Sequence, residues 1–91
     1  MKLNHMMVLC TIKPSYYFVD FGKTRECFLK MAELVKSIEI KTGLSPSQQF
    51  SSGSQTHERM AFVFTTKLSK DEVQKQVNDI CGEYYNVDIL D

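Results

Sequence analysis

Two strand-like segments of this chain are apolar on both faces. His5-Met6-Met7-Val8-Leu9-Cys10-Thr11-Ile12 and Met60-Ala61-Phe62-Val63-Phe64 do not alternate between apolar and polar residues. A strand with one wet face does alternate, because successive side chains point to opposite sides of the sheet. Each of these segments therefore expects a cover on both sides. The chain's own helices can supply one; a second copy, another macromolecule or stacked bases must supply the other.

The flanking segments give the order of elements. Strand 1 is expected from about Leu3 to Lys13, ended by Pro14, which has no N–H for a ladder. Met6, Val8, Cys10 and Ile12 share one face, and His5, Met7, Leu9 and Thr11 the other. The aromatic run Tyr16-Tyr17-Phe18 follows, either extending strand 1 past a bulge or forming a loop over the core. Cys27, Phe28, Met31, Leu34, Val35 and Ile38 recur at three- and four-residue steps, predicting a helix from Lys23 or Thr24 to about Thr42. Gly43 stands where a left-handed C-cap is expected. Residues 44–56 are rich in Ser and Gln, with a short edge strand expected at Gln48 to Ser51 and a turn at Ser52-Gly53-Ser54. Strand 3 covers about Glu58 to Thr66. Ser69-Lys70-Asp71-Glu72 is a capping box opening a second helix, whose stripe is Val73, Val77, Ile80 and Cys81 and whose C-cap is Gly82. Strand 4 runs from Tyr84 to Leu90, with Tyr85, Val87 and Ile89 on one face.

The order β-α-β-β-α-β predicts one α+β domain over residues 1–91 of ferredoxin-like type, the split βαβ arrangement. Four antiparallel strands form the sheet, and both helices lie on one side. Strands 1 and 3 fall in the centre, which agrees with their two apolar faces. On the open face we expect Met7 and Leu9 from strand 1 and Met60, Phe62 and Phe64 from strand 3. The smaller Ala61, Val63 and Thr65 would then turn toward the helices. A one-residue slip in strand 3 would exchange its faces.

Composition narrows the function classes. Eleven basic and 11 acidic residues balance, which disfavours both a strongly basic nucleic-acid binder and an acidic DNA mimic. Nine lysines against two arginines is a bias common in chains from AT-rich sources such as phages and mobile elements. Cys10, Cys27 and Cys81 form no CxxC pair and sit in apolar patterns, so they are expected as buried, reduced thiols of a cytoplasmic protein. Neither a membrane span nor a signal segment is expected, because the apolar stretch after Met1–His5 is only of strand length.

Chemistry-bearing patterns are sparse. His5 and His57 are the only histidines, and no spacing makes a triad of either with a Cys or Ser. HxxxH, HExxH and CxxC are absent, so neither a metal nor a cofactor is expected. Ser51-Ser52-Gly53-Ser54 lacks the phosphate-loop pattern and opens no helix.

Arg59-Met60-Ala61-Phe62-Val63-Phe64 resembles part of the third-strand signature of RNA recognition motifs, matching it at Ala61, Phe62 and Val63. It departs at Glu58, Arg59, Met60 and Thr65, which hold the basic, glycine and two aromatic positions of that signature. Strand 1 has no stacking aromatic on the face of Met7 and Leu9. The resemblance implies single-stranded RNA on the open face, with Phe62 stacking a base and Lys13, Arg59 and Lys67 at phosphates.

Protein contact explains the same residues without stacked bases. Met and Phe suit the cores of interfaces. The expected reading is a small non-catalytic binding or regulatory protein, such as a phage-encoded inhibitor of a host protein. It would dimerise through Met7, Leu9, Met60, Phe62 and Phe64, with Tyr16, Tyr17 and Phe18 as further protein-contact residues. A third possibility is a pocket enzyme of dimeric α/β-barrel type, with His5, Thr11 and Tyr84 between stacked sheets.

Overall fold

The computed structural model describes residues 2–17, 21–41, 48–52 and 57–90. Its elements are β1 (Asn4–Ile12), a 3-10 turn (Pro14–Tyr16), α1 (Phe21–Ile38), β2 (Gln48–Ser52), β3 (Arg59–Thr66), α2 (Lys70–Cys81) and β4 (Tyr85–Leu90). One antiparallel sheet of order β2-β3-β1-β4 carries the two helices. This is an α+β fold with the ferredoxin-like strand order, as the pattern of periods predicts. Among the described residues no helix is long and apolar enough to cross a membrane.

The β1–β3 register places Met6 opposite Phe64, Val8 opposite Phe62 and Cys10 opposite Met60. Residues directly opposite in an antiparallel pair share a face. Met60, Phe62 and Phe64 therefore join Met6, Val8, Cys10 and Ile12 beneath the helices, and all seven are buried. The sequence expectation for strand 3 is overturned by one residue. Small residues let helices approach a sheet closely, but the space between sheet and helices has to be filled to native density. The Phe62 ring fills it against Phe28 of α1, with centroids 5.9 Å apart. Ala61 and Val63, which fill less volume, take the open side and are half-buried.

The helices follow their stripes. α1 buries Thr24, Cys27, Met31 and Val35, with Phe28, Leu34 and Ile38 packed at the margin. It ends at Ile38, short of the expected Thr42. Glu39 bridges to Thr66, and the Ile40 N–H donates to the Thr65 carbonyl at 2.7 Å, so the chain leaves the helix to run beside β3. The Thr66 hydroxyl donates to the Ile38 carbonyl at 2.8 Å and fastens that exit. Gly43, the expected cap, lies outside the described residues. The exposed Glu26–Lys30 pair closes at 2.9 Å, one helical turn apart.

α2 opens on the predicted capping box. The Glu72 N–H donates to Ser69 Oγ at 3.2 Å, and the Ser69 N–H to Glu72 Oε2 at 2.9 Å. Val73, Val77 and Cys81 are buried. Gly82 caps the helix with right-handed backbone (φ −60°), so positive φ is not what requires glycine there. A Cβ would stand 2.6 Å from the Asn78 carbonyl oxygen, which is too close for any side chain.

Two predictions follow from this packing. Phe62→Ala should cost about 3–5 kcal/mol, the range for truncating a buried aromatic, read from urea unfolding. Phe62→Asp should yield no cooperative unfolding transition at all, because it places an unpaired charge in the core.

Candidate interaction surface

The face of the sheet away from the helices is assembled by the same register. Across the strands, Val63, Met7 and Leu90 form one row, Ala61, Leu9 and Asp88 the next, and Arg59, Thr11 and Asn86 the third. The backbone of β2 pairs with β3 so that Gln48 stands opposite Val63, Phe50 opposite Ala61 and Ser52 opposite Arg59. Met7 and Leu90 are exposed at 36% and 52%, and Leu9, Ala61 and Val63 are half-buried. These five residues lie in the middle of the face. Polar residues Arg59, Thr11, Asn86 and Asp88 border them on one side, and His5 with Thr65 on the other.

At that second border the Thr65 hydroxyl and His5 Nδ1 lie 2.6 Å apart, and Thr65 is buried beneath the contact. His5, Val63 and Thr65 edge a shallow depression of about 250 Å³. His57 stands beyond the other end of β3, in left-handed backbone (φ 48°). Its ring stacks on Phe28 at 4.9 Å, its carbonyl accepts from the Tyr85 hydroxyl at 2.7 Å, and its Nδ1 is buried without a hydrogen-bond partner. The two histidines are therefore at opposite ends of the β1–β3 ladder.

Of the expected contact residues, Met7 and Leu9 stand on the open face as read. Met60, Phe62 and Phe64 do not, for the packing reason given above. Leu90, Ala61 and Val63 replace them. Their signal was present in the two-residue period of strands 3 and 4, once the phase of strand 3 is known. Tyr16 and Tyr17 do not extend β1, which ends at Ile12 before the 3-10 turn. Tyr16 is half-buried and packs edge-on against Tyr84 at 5.1 Å, while Tyr17 is 53% exposed. Phe18 lies outside the described residues.

The residues implied by the RNA resemblance are scattered. Phe62 has no exposed ring face. The Lys13 ammonium donates to the Gly82 carbonyl at 2.8 Å. Arg59 and Lys67 are exposed at opposite ends of β3, about 25 Å apart at the usual strand rise. The polar groups of the pocket-enzyme reading also fail to converge. His5 and Thr11 are separated along β1 by about 20 Å, and Tyr84 packs on Tyr16. A groove of about 590 Å³ between α1 and β2 is bordered by Glu33, Lys36, Glu39 and Lys41, charges of both signs on a solvated rim.

Three thiols and the Tyr85 hydroxyl lie beneath the helices. Burial holds the Tyr85 hydroxyl above the usual tyrosine range, and the neighbouring thiols push the same way. Cys81 is raised by its hydrogen bonds to Cys10 and Cys27 and by burial. Groups whose folded pKa is raised stabilise the fold fully below their unfolded value and lose that contribution as pH climbs. Stability should therefore decline above about pH 10 through Tyr85. Tyr85→Phe should lower stability by about 0.5–1.5 kcal/mol at pH 7 through loss of the bond to His57, and should flatten the limb above pH ~10. Urea unfolding across this pH range measures both effects.

Comparison of the chain with protein-family models, with curated proteins and with solved structures finds no match in any of the three.

Proposed function

We propose that this chain is a small non-catalytic binding protein that pairs with a second copy through the open face of its sheet and acts on a protein target as a regulator. The supporting observation is the apolar centre of that face: Leu9 flanked by Met7, Val63, Ala61 and Leu90, inside a polar border. Interfaces have this arrangement, a dry apolar middle within a rim that water can reach. A sheet face meeting its own copy across a twofold axis buries the same residues on both sides, so one short apolar row serves twice. Three free thiols fit a reducing compartment, and with it a cytoplasmic site of action. An inhibitor encoded by a phage or mobile element fits the lysine bias.

Binding of single-stranded RNA loses its main support, because the ring that would stack a base is enclosed by the helices. It remains an outcome of the test.

Size-exclusion chromatography with light scattering, recorded at 260 and 280 nm, checks the reading. The expected result is a dimer free of nucleic acid. Leu9→Asp and Val63→Asp should each give a folded monomer, with helix content unchanged by circular dichroism. A wild-type monomer, or a dimer that survives both substitutions, would exclude pairing through this face. Excess 260 nm absorbance that disappears with ribonuclease would turn the assignment to RNA.

A further inference from the structure

One edge of the sheet carries none of the devices that keep an edge single. β4 pairs with β1 on one side, and among the described residues no strand pairs with its other side. Native sheets blunt such edges with lysine, proline or a bulge. β4 reads Tyr85-Asn86-Val87-Asp88-Ile89-Leu90, without lysine or proline. Its register to β1 runs unbroken from Ile12 opposite Tyr85 to Met7 opposite Leu90.

Two hydrogen bonds fix which backbone groups of β4 point outward. The Lys13 N–H donates to the Tyr84 carbonyl at 2.8 Å, and the Ile12 N–H turns the other way, to the Glu58 carbonyl, at 2.9 Å. Bonded and non-bonded pairs alternate along an antiparallel ladder. Asn86, Asp88 and Leu90 therefore bond to β1, opposite Thr11, Leu9 and Met7. Tyr85, Val87 and Ile89 direct their N–H and C=O groups away from the sheet.

We propose that β4 pairs antiparallel with β4 of a second copy about a twofold axis at Val87, joining two sheets into one. This edge is distinct from the open face and does not need pairing there. The twofold axis keeps the helices of both copies on the same side, so residues of like face oppose each other. Val87 bonds to its own counterpart, and Tyr85 to Ile89 of the other copy, each pair exchanging two hydrogen bonds. Between them Asn86 stands opposite Asp88 of the other copy, in the closer, non-bonded position. Both residues are exposed, so the Asn86 amide can donate to that carboxylate, and symmetry makes the contact twice. An axis at Asp88 would set two carboxylates face to face, which opposes pairing. An axis nearer either end of the strand would shorten the overlap.

One strand on one strand makes a smaller contact than a standard interface, so this pairing is the weaker of the two and grows with concentration. Sedimentation velocity of the full chain from micromolar to millimolar protein tests it. Val63→Asp takes the open face out of play, and wild type is run beside it. The expected result in both is a reversible doubling of mass as concentration rises. Asn86→Asp opposes two carboxylates at each contact and should abolish the doubling. Adding Asp88→Asn exchanges the two partners and should restore it. Val87→Pro removes an N–H that β1 does not use, so it should keep the helix content by circular dichroism and lose the doubling. The assignment is overturned if mass does not double in either background, if Asn86→Asp alone leaves the doubling intact, or if the exchanged pair fails to restore it. Should Val63→Asp not fold, the same substitutions in wild type decide. Failure of the open-face reading shows separately, as a wild-type monomer at micromolar concentration.

Discussion

The pairing of β1 with β3 is the constraint on which the rest of this structure depends. Both strands lie in the interior of the sheet, and both are apolar on both sides. Nothing in their local pattern prefers one phase to the other, so the register between them decides which side chains become core. With Val8 opposite Phe62, the large side chains of β3 lie beneath the helices. A slip of one residue would place Ala61 and Val63 there, leave the helix layer underfilled, and push two phenylalanines into water. Backbone and side-chain ties outside the ladder hold the register at both ends. The Ile12 N–H donates to the Glu58 carbonyl at 2.9 Å at one, and the Asn4 amide to the Leu68 carbonyl at 2.8 Å at the other.

What could be read from the sequence divides along the same line. Elements with a polar side were legible in position and orientation. The capping box fixed the start of α2, the helical stripes identified Met31, Val35, Val73 and Val77 as core, and alternation in β4 identified Tyr85 and Ile89. The phase of β3 was not legible by polarity, because either choice buries apolar residues. Volume was the usable signal. Phe62 and Phe64 together demand more enclosed space than Ala61 and Val63, and only the helix side encloses it. The end of α1 was misread because Gly43 offers a stronger local stop signal than Ile38. The actual stop is a tertiary one, made when Glu39 and Ile40 bond to β3. The meeting of Cys10, Cys27 and Cys81 was invisible for another reason. Their separations of 17 and 54 residues carry no motif, and only the packing of two helices on one sheet places all three in one core cluster.

Correcting β3 changes the character of the candidate surface as well as its membership. A face bearing Met60, Phe62 and Phe64 would have been large, aromatic and sequence-tolerant toward bases. The face that exists carries Met7, Leu9, Ala61, Val63 and Leu90, with Arg59 and Asp88 at its edge. These five side chains offer no π-face for stacking, so their contribution to binding is removal of apolar area from water and close fit.

The same strand serves both sides of the molecule. Leu9 on the open face and Cys10 beneath the helices are consecutive residues of β1, and their ladder partners Ala61 and Met60 are consecutive in β3. A strand in the interior of a sheet cannot shift at one residue without shifting the next, because its ladder fixes both. Whatever fixes Leu9 on the open face therefore fixes Cys10 beneath the helices as well, so one register decides both the packing of the helix layer and the membership of the contact face.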